Sequence, residues 1–251
     1  MQKIKKRLRI FAGPNGSGKS TLFEEFSKHY NTGYFINADY LEKILQTKGL
    51  IDLDSYNIKV SSEDLLNFLK KENSKTLIAT AKEKGFEISL DIKENFIISL
   101  SKKPNSYEGS LISSFLREKL LYENKSFCFE TVMSHVSKLD DIKEANSLGY
   151  TTYLYFVCID DPEINISRVE NRVQKGGHAV DNEIIKSRYK RTLNNLFPAI
   201  EISNKAYLFD NSGEKLTLIA EINDAKLLKL YINEEDFPNW FKEFVLHHFI
   251  Q

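Results

Sequence analysis

Cysteine is scarce, net charge is nil and long apolar runs are missing, and each shortage excludes something. The 2 cysteines, Cys128 and Cys158, fall inside apolar stretches that predict buried strands, so packed, reduced thiols are expected, as suits a cytoplasmic protein. No apolar run approaches the roughly 20 residues that span a bilayer. The opening MQKIKKRLRIF passes from charge straight into a strand with no small-residue cleavage site, so a soluble, intracellular chain is expected. Lys and Arg together number 35, as do Asp and Glu, which argues against a nucleic-acid or anionic membrane partner and favours a small anionic ligand. Repeats, low-complexity tracts and long Pro/Gly linkers are absent as well.

What is present suffices for a sizeable core: 251 residues, 41% hydrophobic. Periodicity predicts strand 7–12, helix 18–29, strand 34–37 and helix 39–46, then strand 126–130, helix 135–148, strand 151–159 and helix 162–175. Such alternation predicts an α/β fold, a parallel sheet flanked by helices. Lys/Glu/Asn-rich stretches interrupt it over 50–123 and predict a helical insertion within a single domain spanning 1–251. A helix over 182–196, short strands at 205–209 and 226–231 and an amphipathic helix over 237–249 complete the chain.

Directly behind the first strand stands GPNGSGKST, residues Gly13, Pro14, Asn15, Gly16, Ser17, Gly18, Lys19, Ser20 and Thr21. It satisfies G-x-x-x-x-G-K-[ST] between a strand and a helix, the context a phosphate-binding loop requires. Glycines let backbone N–H groups turn inward without a Cβ in the way, and the helix N-terminus adds fixed positive charge. Lys19 is expected on the β- and γ-phosphates of ATP and the Ser20 hydroxyl on Mg²⁺. A P-loop NTPase follows, and the other motifs narrow its kind. Asn204-Lys205-Ala206-Tyr207 lacks the Asp of a guanine reader, a transporter-type Leu-Ser-Gly-Gly-Gln start is absent, and Asp210-Asn211-Ser212-Gly213 reads as a turn.

A kinase of small molecules needs a loop that holds and deprotonates an acceptor hydroxyl, and cationic groups that close over the phosphates. Tyr34-Phe35-Ile36-Asn37-Ala38-Asp39 supplies the first: Asp39, at a strand's carboxyl end, is the candidate general base, with a helix N-cap as its structural alternative. Residues 161–196 supply the second. Asp161 and Pro162 open a helix carrying Arg168 and Arg172 on one face, Gly176-Gly177-His178 form a hinge, and Arg188 and Arg191 follow on the next helix. These predict an Arg-bearing helical lid, the alternative being a solvated charged surface. Of two acidic strand ends, Asp160-Asp161 is assigned to capping, and Glu130 is the candidate contact for acceptor hydroxyls or a magnesium-bound water.

GPNGSGKST, FINADYL, FCFETVMS and RVENRVQKGGHAVDNEIIKSRYKRTLNNL together resemble the zeta toxin family of phosphate-loop kinases, in family order over about half of the chain. The resemblance implies a nucleotide-kinase-like sheet, and transfer from ATP with Mg²⁺ to the 3′-hydroxyl of a UDP-N-acetyl sugar. It places Lys19, Ser20, Asp39, Arg168 and Arg172 at the reaction, with Asn37, Glu130 and Thr131 by the acceptor. The alternative reading is a nucleotide-controlled binding module whose lid and insertion recruit a protein partner such as an antitoxin, without efficient catalysis. Asp181 stands where relatives often carry Pro.

Overall fold

The computed structural model describes residues 6–177 and 180–249, so His178 lies outside the described residues. In chain order the elements are β1 (Arg7–Ala12), α1 (Lys19–His29), β2 (Tyr34–Ile36), α2 (Ala38–Lys48), β3 (Leu50–Asp52), α3 (Ser62–Leu69), α4 (Glu72–Glu83), β4 (Leu90–Lys93), β5 (Phe96–Ser99), α5 (Ser106–Tyr122), β6 (Phe127–Thr131), α6 (Ser137–Ser147), β7 (Thr151–Cys158), α7 (Pro162–Gln174), α8 (Asn182–Asn194), α9 (Leu196–Ile202), β8 (Lys205–Asp210), β9 (Thr217–Asn223), β10 (Lys226–Leu230) and α10 (Asn239–Phe244). They cluster into two compact units, one of residues 1–33 and 127–251, the other of residues 34–126.

The larger unit is a mainly parallel sheet flanked by helices, with strands ordered β10-β9-β8-β7-β1-β6. β1 pairs in parallel with β6 and β7, and β7 with β8, while β9 and β10 run antiparallel at the edge. Leu8, Ile10, Phe11 and Ala12 are all essentially inaccessible, as befits a strand covered on both faces. Register aligns Phe11, Tyr155 and Tyr207 across three strands, their rings stacked at 5.0 and 5.1 Å. From α1, Phe23 and Phe26 meet Phe11 edge-on at 5.3 and 5.8 Å, and this aromatic seat fixes the helix whose first turn carries Lys19 and Ser20. Cys128 and Cys158 are buried and not disulfide-bonded, and burial pushes the Cys128 thiol up to about 12.

In the smaller unit α2 packs on α5, and the segment expected as a helical insertion does hold α3, α4 and α5. It also holds a three-stranded antiparallel sheet, β3-β5-β4, that periodicity did not reveal, its strands only 3 or 4 residues long. The closing helix is shorter than expected: α10 ends at Phe244 because Val245 leaves helical geometry at φ −130°, ψ −63°, and a single 3-10 turn follows. Among the described residues no helix is long and apolar enough to cross a membrane.

Candidate functional site

The loop between β1 and α1 turns where its glycines allow. Gly13 has φ 141° and Gly18 φ 105°, conformations that L side chains rarely adopt. A Cβ on Gly13 would overlap the Val157 carbonyl oxygen, and one on Gly18 would lie 2.5 Å from Asn211 Nδ2. Lys19 Nζ donates to the Pro14 carbonyl at 2.8 Å, folded back across the loop's own concavity. Pro14 and Ser17 are buried, Asn15 and Gly16 half-buried, and Thr21 is exposed.

Ser20, first in the turn behind Lys19, donates its hydroxyl to Glu130 Oε2 at 3.1 Å. Glu130 reaches it because β6 lies beside β1 in a register that sets Glu130 opposite Phe11 and Thr131 opposite Ala12. Two hard oxygen donors therefore meet at the loop's edge, a set that suits Mg²⁺ shared with phosphate oxygens. Thr131 Oγ1 accepts the Met133 amide at 3.0 Å, and the segment after it is held from α8 and its C-cap, where Thr192 Oγ1 donates to Val132 O at 2.8 Å and Asn195 Nδ2 to Met133 O at 2.9 Å.

The two arginine-bearing helices are packed into this unit. Asp161 caps α7 through the Glu163 amide at 2.8 Å with Pro162 at the first position, as the sequence predicts, and Asp181 caps α8 through the Glu183 and Ile184 amides. Ile166 and Val169 of α7 form a small core with Ile185 of α8. The Tyr189 hydroxyl donates to Ile159 O at 2.8 Å and reaches Asp160 O at 3.1 Å, and burial raises its pKa, so it remains a donor. Gly176 and Gly177 act as a helix stop: their amides return to Val173 O and Arg172 O, both at 2.9 Å. Arg168 is half-buried and donates from Nη2 to Asn211 O at 3.0 Å, whereas Arg172 and Arg191 are exposed. Asp160 is taken up by α10, accepting from Trp240 N and Asn239 Nδ2 at 2.9 Å each.

In the smaller unit the cap of α2 is Asn37, whose Oδ1 accepts the Tyr40 amide at 3.0 Å. Asp39 therefore stands inside the first turn, exposed, with a carboxylate bonded to no other described residue. Among the predicted residues, the loop, Ser20, Glu130, Thr131 and the arginines of α7 belong to the larger unit, and Asn37 and Asp39 to the smaller.

Sequence reasoning missed Asn165 and Asn211. Asn165 is wholly buried on α7 and donates from Nδ2 to Asn15 O at 2.6 Å, and Asn211 Nδ2 donates to Ser17 O at 2.7 Å. A buried Asn in a helix, one turn before Val169, is a visible polar intrusion, but nothing local names its partner.

No family model matches the chain. An uncharacterized protein of Haemophilus influenzae is 35% identical over 63 residues, which is 25% of this chain and 45% of that protein. Among solved structures, that of the AvrRxo1-ORF1:AvrRxo1-ORF2 complex with sulphate ions is 14% identical, covers 89% of this chain and 60% of its own, and has a TM-score of 0.51. A structure from the PezAT toxin-antitoxin system of Streptococcus pneumoniae is 11% identical over 88% of this chain and 73% of its own, with a TM-score of 0.48. This chain thus spans less than two thirds of the first two proteins. This chain shares the fold of the AvrRxo1-ORF1:AvrRxo1-ORF2 structure, and that fold is a mainly parallel sheet flanked by helices, as the periodicity of the sequence predicts.

Proposed function

We propose that the chain is an ATP-dependent kinase that transfers the γ-phosphate to a hydroxyl of a small molecule, with a UDP-N-acetyl sugar as the first acceptor to test. The observation that carries the proposal is the hydrogen bond from Ser20 to Glu130 beside a glycine-turned loop, because it joins a phosphate cradle to a pair of hard oxygen ligands. Bound Mg²⁺ supplies charge that neutralises the phosphate oxygens. Lys19, released from Pro14 O, adds a point charge at the β- and γ-phosphates, and Arg172, with those Arg168 N–H groups not engaged by the Asn211 carbonyl, balances the migrating group. Asp39 takes the acceptor's proton as its oxygen bonds to the γ-phosphorus and the bond to the β-phosphate oxygen breaks, releasing ADP. Asn37 and Thr131 contact the acceptor.

Asp39→Asn is expected to lower transfer by about 10²- to 10⁴-fold, the usual worth of a general base, while leaving ATP affinity nearly intact. Calorimetry with ATP and mass spectrometry of pooled sugar nucleotides measure the two. Parallel loss of ATP binding would make Asp39 structural. The solved AvrRxo1-ORF1 sits in a complex with AvrRxo1-ORF2, and this supports a second reading in which a protein partner of antitoxin type engages the chain and nucleotide controls that contact. In that case no acceptor gains a phosphate, and ATP alters partner affinity instead.

A further inference from the structure

We infer that Asn165, Asn211 and Arg168 form a clamp on the outside of the phosphate loop that aims the Gly16 and Gly18 amides at the phosphates; this rests on the phosphate-loop assignment above. In a trans peptide the C=O and the N–H of one unit point in opposite directions, and there are no cis peptides among the described residues. Asn165 Nδ2 holds the Asn15 carbonyl at 2.6 Å, so the Gly16 N–H of the same unit points the other way. Asn211 Nδ2 holds the Ser17 carbonyl at 2.7 Å, and the Gly18 N–H is likewise turned inward. Neither glycine amide donates to another described residue, so both are left for a ligand.

The two asparagines are joined. Arg168 follows Asn165 by one helical turn and donates from Nη2 to the Asn211 carbonyl at 3.0 Å, closing a ring from loop to α7 to the 210–213 turn and back. That turn is itself anchored. The Asn211 amide donates to Cys158 O at 2.8 Å, Ser212 N and Oγ both bond Asp210, and Trp240 Nε1 donates to Asp210 Oδ1 at 3.0 Å. Close packing keeps the ring tight, since a Cβ on Gly16 would lie 2.6 Å from Asn165 O and one on Gly18 2.5 Å from Asn211 Nδ2. Asn165 and Asn211 are positioning residues, acting on bound phosphate only through the loop. Within the clamp Arg168 acts through Asn211, by the single N–H of Nη2 that the Asn211 carbonyl accepts.

The test titrates the full chain with inorganic tripolyphosphate and with ATP, following the Gly16 and Gly18 amides by ¹H–¹⁵N correlation spectra and affinity by calorimetry. Asn211→Asp removes the Nδ2 donor at constant shape, and Asn211→Ala serves as a second variant. Both are expected to abolish the downfield shift of Gly18 on binding, to spare that of Gly16, and to weaken tripolyphosphate and ATP alike by about ten-fold, the worth of one hydrogen bond. Arg168→Lys is expected to reduce the Gly18 shift in the same sense. Unchanged Gly18 shifts and affinities in these variants would overturn the clamp, as would equal loss at both glycines with a lowered melting temperature. If the native chain binds neither probe, the phosphate-loop assignment itself fails.

Discussion

Gly109 shows how one residue sets the place of a proposed catalytic side chain, Asp39, from a distance. It lies buried in α5, and a Cβ there would sit 2.6 Å from the Ala38 carbonyl and 3.0 Å from the Glu42 Cβ. Only a bare backbone lets α5 come so close to the first turn of α2, the turn that carries Asp39. Gly109→Ala is therefore expected to destabilise the protein by about 1–3 kcal/mol through overpacking, although alanine otherwise favours a helix over glycine. Scanning calorimetry measures that loss, and phosphate transfer should fall more than ATP affinity does. In sequence Gly109 reads as an ordinary glycine among helix formers. Asn165 and Asn211 were illegible for a related reason: their partners lie 150 and 194 residues away, and only the folded sheet brings them together. The turn between β1 and α1 was legible because its glycines and the strand and helix that flank it stand in consecutive positions.

Among the elements, α3 carries a charge arrangement whose pH dependence follows from its geometry. Asp64 closes a capping box with Ser61 and accepts from Lys119 Nζ of α5 at 2.6 Å. The Lys119 hydrogen bond, then those from Ser61, hold its carboxyl down at about 2, from an ordinary 3.8. A depressed carboxylate adds stability above its unfolded pKa and loses it as pH falls through the folded one. The melting-temperature gap between the native chain and Asp64→Asn should thus be full at pH 6 and close between about pH 4 and 2. It should also narrow with added salt, because the Asp64 side chain is 39% exposed. Element boundaries were read well where burial on both faces makes a continuous apolar run, as in β1 and β7, and where a cap is explicit, as at Asp161. They were missed where turns carry no glycine. The β9–β10 hairpin turns on Asp224 and Ala225 at φ 46° and 62°, and β4–β5 on Glu94 and Asn95 at φ 48° and 65°, so β4, β5 and β9 went unseen, while β3 is too short, at 3 residues, to show a period.

For the whole molecule, the chain divides into residues 34–126 and the remainder, and the proposed function predicts different protection by nucleotide and by acceptor across that division. The loop, Glu130, α7 and the 210–213 turn are linked by hydrogen bonds within the larger unit. A ligand that binds only the folded chain stabilises it by about 2.7 kcal/mol at a hundred times its dissociation constant. For a chain of this size that raises the melting temperature by roughly 5–10 °C. ATP with Mg²⁺ is accordingly expected to slow amide exchange over residues 13–21, 127–131, 162–174 and 205–213. A true acceptor, added with a non-hydrolysable ATP analogue, should extend the protection to residues 37–41 around Asp39. Protection by nucleotide alone, with no sugar nucleotide ever reaching residues 37–41, would count against Asp39 as the base and favour the nucleotide-controlled binding module.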